Sequence, residues 1–345
     1  MSYQYSALRR IGSRLIFFSL IATLLSGSTF SHPVSAQGKA TVMQYSTGIT
    51  AGSEPDDIVT GPDGALWFTE ENGGIGRITT AGVVTEYLTG TTPSLTAGSH
   101  PAGITVGPDG ALWFTEEAGR IGRITTAGVI TEYSAGITAN SYPTEITAGP
   151  DGALWFTEDD GNRIGRITTA GVITEYSTGI TANSYPQGIT TGPDGALWFT
   201  EGAARIGRIT TAGVITEIAT GTTKTSYPGG IAAGTDGALW FTETGGNQVK
   251  RMTTAGVITA YATGITAGSH PREITTGADG TLWFTEDAAR IGQITMTGVI
   301  TEYTISSTAN IIASDITTGP DGALWFTEPG SNQIGRLALA GVTLK

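Results

Sequence analysis

The chain has 345 residues, no cysteine, only three histidines and a formal net charge of −12 at neutral pH. Without cysteine there are no disulfides, zinc–thiolate centres, cysteine nucleophiles or lipid-modified N-terminal cysteine, so stability must come from packing. The acidic balance disfavours nucleic acid and anionic lipid as partners and suits cations, metal ions included.

The first stretch reads as a targeting segment. Arg9, Arg10 and Arg14 form a basic region, Leu15 to Leu25 is a short apolar run, and Val34-Ser35-Ala36 offers small residues for cleavage. The apolar run is too short, and too soon followed by Ser and Gly, for a good membrane span. Residues 1–36 are therefore expected to be a signal peptide and 37–345 the mature domain, secreted or periplasmic; an uncleaved anchor is the other reading. Removing the three arginines takes the formal charge to −15.

From there one phrase organises the chain. Gly61-Pro-Asp-Gly-Ala-Leu-Trp-Phe-Thr-Glu70 recurs, with variations, seven times, and its tryptophans (Trp67, Trp113, Trp155, Trp198, Trp240, Trp283 and Trp325) are spaced by 42 to 46 residues. A period in the low forties with strand-like contents predicts a β-propeller. Within a repeat, Gly103 to Gly107 reads as an inner strand. Pro108-Asp-Gly110 is a turn with φ preset by Pro, and Ala111 to Glu116 returns antiparallel. Ile121 to Thr125 and Val129 to Tyr133 complete four strands, the last alternating as an outer strand does. The expected fold is all-β: a seven-bladed propeller of four-stranded antiparallel blades. A monomer is expected.

The chain ends suggest how the ring closes. Tyr45-Ser-Thr-Gly-Ile-Thr-Ala51 repeats the tail of other blades, so Thr41 to Tyr45 reads as an outer strand with no blade before it. It is predicted to complete the seventh blade and cover its edge; the rival is residues 342–344 filling that place.

Candidate site residues gather where strand one begins and strand two ends. Antiparallel pairing brings those two ends to the same face. Strand two ends there in Glu70, Glu116, Glu158, Glu201, Glu243, Glu286 and Glu328. Either this is a carboxylate ring focusing negative potential at the mouth, or each Glu meets a need repeated in every blade. In the second case it would accept from turn amides or pair with Arg77, Arg123, Arg166, Arg208 or Arg336. The second reading is preferred, because a site needs asymmetry. Asymmetry lies in the two positions after each linker proline: Asp56-Asp57, Ala102-Gly103, Thr144-Glu145, Gln187-Gly188, Gly229-Gly230 and Arg272-Glu273, with Ser314-Asp315 in the seventh repeat. Turned into the mouth, Asp57, Glu145, Gln187, Arg272, Glu273, Ser314 and Asp315 would form a polar basin for a divalent cation or an oxygen-rich small molecule. Ordinary polar loop variation is the alternative. His100 and His270 precede their prolines where other repeats carry Tyr, which reads as linker packing.

The phrases Ile-Thr-x-Gly-Pro-Asp-Gly-Ala-Leu-Trp-Phe-Thr-Glu, Ile-Gly-Arg-Ile-Thr-Thr and Ile-Thr-Glu-Tyr resemble the streptogramin B lyase family across residues 41 to 345. The resemblance implies a seven-bladed propeller that opens a cyclic depsipeptide antibiotic at its ester by Mg²⁺-assisted elimination. It also implies a catalytic His directly after the proline that opens the last blade, and a second His at the same place in the blade before. The metal ligands it implies are a Glu before that last proline and the Glu ending that blade's second strand. Here those places hold Ser314, Arg272 and Ile312, and Ala313 replaces the proline; only Glu328 matches. Neither Ser alone nor Arg accepts a proton at working pH. Blade one instead carries Glu54-Pro55-Asp56 with Glu70 at the family's spacing. Glu54 and Glu70 there stand as candidate Mg²⁺ ligands and Asp56 as candidate base, which would need burial to raise its pKa.

Overall fold

The computed structural model describes residues 40–90, 95–223, 225–287, 289–306 and 311–339. The expected signal segment and residues 342–344 lie outside them. Strands β1 to β28 form seven antiparallel sheets of four strands each, one per repeat. Blade one shows the plan. It consists of β2 (Pro55–Thr60), β3 (Leu66–Glu70), β4 (Gly74–Ile78) and β5 (Val84–Leu88), paired in chain order from the inside outward.

Each blade is built around its tryptophan. The turn Asp holds two groups at once. Asp63 accepts from Trp67 Nε1 at 3.0 Å and from Arg77 Nε at 2.7 Å. The guanidinium lies 5.8 Å from the Trp67 ring centroid and Tyr87 stacks on that ring at 5.7 Å. These arginines therefore serve the Pro-Asp-Gly turn, not the strand-two glutamates. Two glycines make the plan possible. Gly64 has φ +72°, as the turn demands, and a Cβ on Gly76 would stand 2.0 Å from the Phe68 ring.

Blades pack face to face, each tryptophan against the Leu and Phe of the next blade. Trp67 packs with Leu112 and Phe114 of blade two, and Trp325 of blade seven packs with Leu66 and Phe68 of blade one. The seven indoles are at most 2 % exposed. Burying an aromatic side chain of this kind stabilises by about 3 kcal/mol, so the inter-blade seams dominate the core.

The ring closes as the repeated tail predicts. Strand β1 (Ala40–Tyr45) pairs antiparallel with β28 (Gln333–Leu339), and the seventh sheet runs β1, β28, β27 (Leu324–Glu328), β26 (Ile316–Thr318). Tyr45 stacks on Trp325 at 5.4 Å, as Tyr87 does on Trp67, so the first strand fills the outer position of the last blade.

Candidate functional site at the channel mouth

In blades one to six the first strand opens on a register shift. Pro55 pairs with Glu70 and Ile58 with Phe68, which leaves Asp56 and Asp57 in a bulge between them. The same shift falls after Pro101, Pro143, Pro186, Pro228 and Pro271. A bulge re-aims side chains, which is why the variable pair of each repeat is presented here and not paired into the sheet. The residue before the proline is left-handed in all six blades, with φ between 44° and 57° at Glu54, His100, Tyr142, Tyr185, Tyr227 and His270. Blade seven lacks the proline, and its first strand begins only at Ile316.

Carboxylates converge across this end of the ring. The Ile58 amide is shared between Asp57 Oδ1 at 2.8 Å and Asp315 Oδ2 at 2.9 Å, which sets two carboxyl groups side by side at the seam of blades seven and one. Asp57 Oδ2 accepts from the Ile104 amide of blade two at 2.6 Å. Two charges cannot share such a site, so the pair holds a proton. Burial, then the facing Asp315, pushes Asp57 well above the usual carboxylate range. Burial also raises Asp315 to about 7, with the Asp57 hydrogen bond pulling it down and the charges of Glu273 and Glu145 adding to the rise. The two carboxyl groups therefore titrate as one pair that shares a proton. Glu145 and Glu273 each lie over a glycine of the preceding blade: a Cβ on Gly103 would stand 3.1 Å from Glu145 Oε2, and one on Gly230 2.5 Å from Glu273 Oε2.

The other candidate residues go elsewhere. Arg272 is held by Asp287, with Nε 2.5 Å from Oδ1, and His270 Nδ1 lies 3.3 Å from the same carboxylate. Ser314 Oγ donates to Asp56 Oδ1 at 2.9 Å, joining blades seven and one. The Gln187 carbonyl accepts from Thr157 Oγ1 at 2.7 Å. Glu54 donates its amide to Asn332 Oδ1 at 3.1 Å. His100 Nδ1 lies 3.0 Å from the Glu71 carbonyl oxygen, consistent with linker packing.

The strand-two glutamates are all buried, and those of blades one to four and six lie beside a glutamate on the outer strand of their own blade. A Cβ on Gly74 would meet Glu70 Oε2 at 2.2 Å, and burial, then the neighbouring Glu86, pushes Glu70 to about 8. Glu70 and Asp56 thus face different neighbours. Glu328 accepts from Gln44 Nε2 at 3.0 Å through each of its oxygens. Sequence reasoning missed Gln44, although its alignment with Glu86 in the repeated tail marks it.

The Mg²⁺ that the resemblance implies would need several oxygen ligands at one place. In blade seven, Ser314, Ala313 and Ile312 leave a single carboxylate, Glu328, and Gln44 occupies both its oxygens. Among the described residues no group of three or more His, Asp or Glu side chains is arranged to hold a metal ion. The family's donor set does not fit here. No helix among the described residues is long and apolar enough to cross a membrane.

Comparison with known proteins agrees with the fold. The virginiamycin B lyase family model matches residues 31–261 and 202–344. A solved streptogramin B lyase structure is 38% identical, with 87% of this chain and 98% of that one covered and a TM-score of 0.79. The virginiamycin B lyase from Staphylococcus aureus is 39% identical over 88% of this chain and all of that one, with a TM-score of 0.78. A catalytically inactive variant of that enzyme with quinupristin is 40% identical, with a TM-score of 0.79 and coverage of 87% and 100%. At 16% identity and a TM-score of 0.71, the fold is also shared with an extracellular domain from B. thetaiotaomicron, over 88% of this chain and 43% of that one. No curated protein sequence matches significantly. With its seven repeats, its closure by the first strand and these matches, the chain belongs to the virginiamycin B lyase family.

Proposed function

We propose that this protein is an exported binding propeller. Its channel mouth would take a cationic or hydroxyl-rich small molecule, or a divalent cation such as Mg²⁺ that keeps most of its own waters, and the family's elimination would not run at the family's place. One observation carries the reading: Asp57, Glu145, Glu273 and Asp315 present carboxyl groups around the mouth, while the one guanidinium there, Arg272, is neutralised by Asp287. Such an arrangement favours positive charge in a partly desolvated setting. The absence of a base at Ser314 and Arg272 supports the second half of the proposal.

A second reading, an ester-opening lyase with a rearranged site, is favoured by the Asp57–Asp315 pair, because a carboxylate held near neutrality can accept a proton. Two measurements separate these readings. Calorimetric titration with Mg²⁺ or Mn²⁺ should show binding that Asp315→Asn weakens, and Glu54→Ala and Asp56→Ala report whether blade one takes part. Incubation with a streptogramin B depsipeptide, followed by mass spectrometry, should leave the ring intact. Opening of the ring would establish the lyase reading. Absence of both binding and turnover would leave a propeller that acts by protein interaction.

A further inference from the structure

The glutamates that end strand two face a group on the outer strand of their own blade, across a residue that is usually glycine. In blades one, two, three, four and six the facing group is another glutamate: Glu86, Glu132, Glu175, Glu217 or Glu302. Each oxygen of these outer glutamates already accepts one bond from a threonine and keeps room for a second. Glu132 accepts from the Thr96 amide at 2.7 Å and from its hydroxyl at 2.5 Å; Glu175 does the same with Thr138 at 2.6 Å for both bonds. Thr181 and Thr266 serve Glu217 and Glu302 in the same way.

The inner partners have almost nothing. Glu70, Glu158, Glu201 and Glu286 are 0 % exposed, and neither carboxyl oxygen of any of them has a hydrogen-bond partner; Glu116 has only Arg120 Nη1 at 3.4 Å. The nearby cations are weakly placed: Arg163 is 3.8 Å from both Glu158 and Glu175, while Arg205 and Arg290 lean toward the outer glutamates at 3.3 and 3.7 Å. The hydroxyls of Ser53, Ser141, Ser184 and Ser269 also face the inner carboxyls of blades one, three, four and six.

Two blades show what happens when the facing group changes. In blade five the outer residue is Ala260 and the intervening glycine is Lys250, whose ammonium bonds Glu243 at 2.9 Å and is itself only 3 % exposed. In blade seven the outer residue is Gln44, which donates to both oxygens of its inner glutamate. So wherever the outer carboxylate is lost, a donor has replaced it. A buried carboxyl with no donor beyond a weakly placed serine hydroxyl or arginine, facing a carboxylate oxygen that can accept a second bond, is satisfied when it brings its own hydrogen.

We propose that blades one, two, three, four and six each store one proton between a buried inner glutamic acid and the outer glutamate that it donates to, making the ring a proton-locked scaffold that loosens on alkalinisation. Burial, followed by the facing glutamate, pushes Glu70, Glu116, Glu158, Glu201 and Glu286 to about 8. The folded values lie above the unfolded ones. The stability contributed is therefore complete at acid pH and is lost as the pH climbs from the ordinary carboxylate range toward the folded value.

Infrared spectroscopy of the wild-type protein in heavy water at neutral pH should show a protonated-carboxyl C=O band that vanishes on unfolding. Melting temperatures at pH about 5.5 and about 8.5 should differ, the alkaline one being lower. Glu158→Gln and Glu201→Gln should melt near wild type at the lower pH and each shrink the alkaline loss. Glu175→Gln, patterned on Gln44, should do the same from the other side of a pair. A melting temperature that does not change with pH, or absence of the band, would overturn the proposal. So would an alkaline melting temperature that a chelator lowers and the Gln variants no longer respond to, because the pairs would then hold a cation.

Discussion

Lys250 offers the sharpest test of how the blades handle buried carboxyls. Lys250→Met removes the ammonium from Glu243 but leaves the Gln248 amide at 2.6 Å and the Thr222 hydroxyl at 2.9 Å. Breaking a buried ion pair by deleting one partner costs about 3–5 kcal/mol. Proton uptake offers the variant a second route. Its counterparts in blades two, three, four and six are pushed to about 8 by burial. Holding a carboxyl neutral at pH 7 against an unfolded value of about 4.5 costs about 3.4 kcal/mol, at about 1.36 kcal/mol per pH unit. The two routes agree at neutral pH and part at acid pH, where the second costs only about 1.4 kcal/mol at pH 5.5. Urea unfolding followed by tryptophan fluorescence should therefore show a loss of about 3 kcal/mol at pH 7 that falls by more than half at pH 5.5. Replacing the pair in full, with Lys250→Gly and Ala260→Glu, should recover stability by recreating the arrangement of blade two. An equal loss at both pH values would refute the reasoning, because the variant would then be taking up no proton at Glu243.

Other expectations follow from the same contacts. Gln44→Ala leaves the buried Glu328 without its two 3.0 Å donor bonds and should cost about 1–3 kcal/mol in thermal or urea unfolding. Gln44→Glu, by contrast, should keep the stability at acid pH and lose it as the pH rises. Asp57→Asn should be close to neutral in melting temperature, because the amide can donate toward Asp315 and still accept from Ile104, doing the work of the proton that the pair shares; a loss of several degrees would show that the pair holds no proton. Arg123→Ala removes a part-exposed ion pair to Asp109 at 2.7 Å and a contact 5.8 Å from the Trp113 ring centroid. It should cost only about 1 kcal/mol by urea unfolding.

The fold was legible because its rule is repetition. Seven tryptophans at a constant period required seven equivalent environments, and the stray tail before the first repeat had to pair somewhere. Strand limits also came through: Ile130–Tyr133 and Leu112–Glu116 fall within the stretches read from the alternation. Orientation was harder. A period of two says that Glu116 and Phe114 share a face, but in a propeller both faces of a blade are covered, so alternation alone cannot say whether a strand-end carboxylate meets the channel or the blade interior. The assignment of Arg77 and its counterparts went astray for a related reason. Their partner is the turn Asp fourteen or fifteen residues earlier, brought alongside by strand pairing, and not the glutamate nearer in sequence. At the mouth, the bulge that presents Asp56 and Asp57 could not be seen from residue types. The shared Ile58 amide that brings Asp57 to Asp315 joins residues more than 250 positions apart.

The pairing of β1 with β28 has a consequence for how the chain is made. Strand β1 is synthesised before every blade and its partner β28 after all the other strands of the ring, so β1 has nothing to pair with until the seventh blade is made. Any product cut short before Gln333 would have six complete sheets and no clasp. The two sides of the seam between blades seven and one, including Trp325 and Phe68, would then stay open to solvent and to other chains. The ring thus checks its own closure: only a chain that carries both β1 and β28 can hide that edge, and fragments without one of them remain marked by it for proteolysis or aggregation.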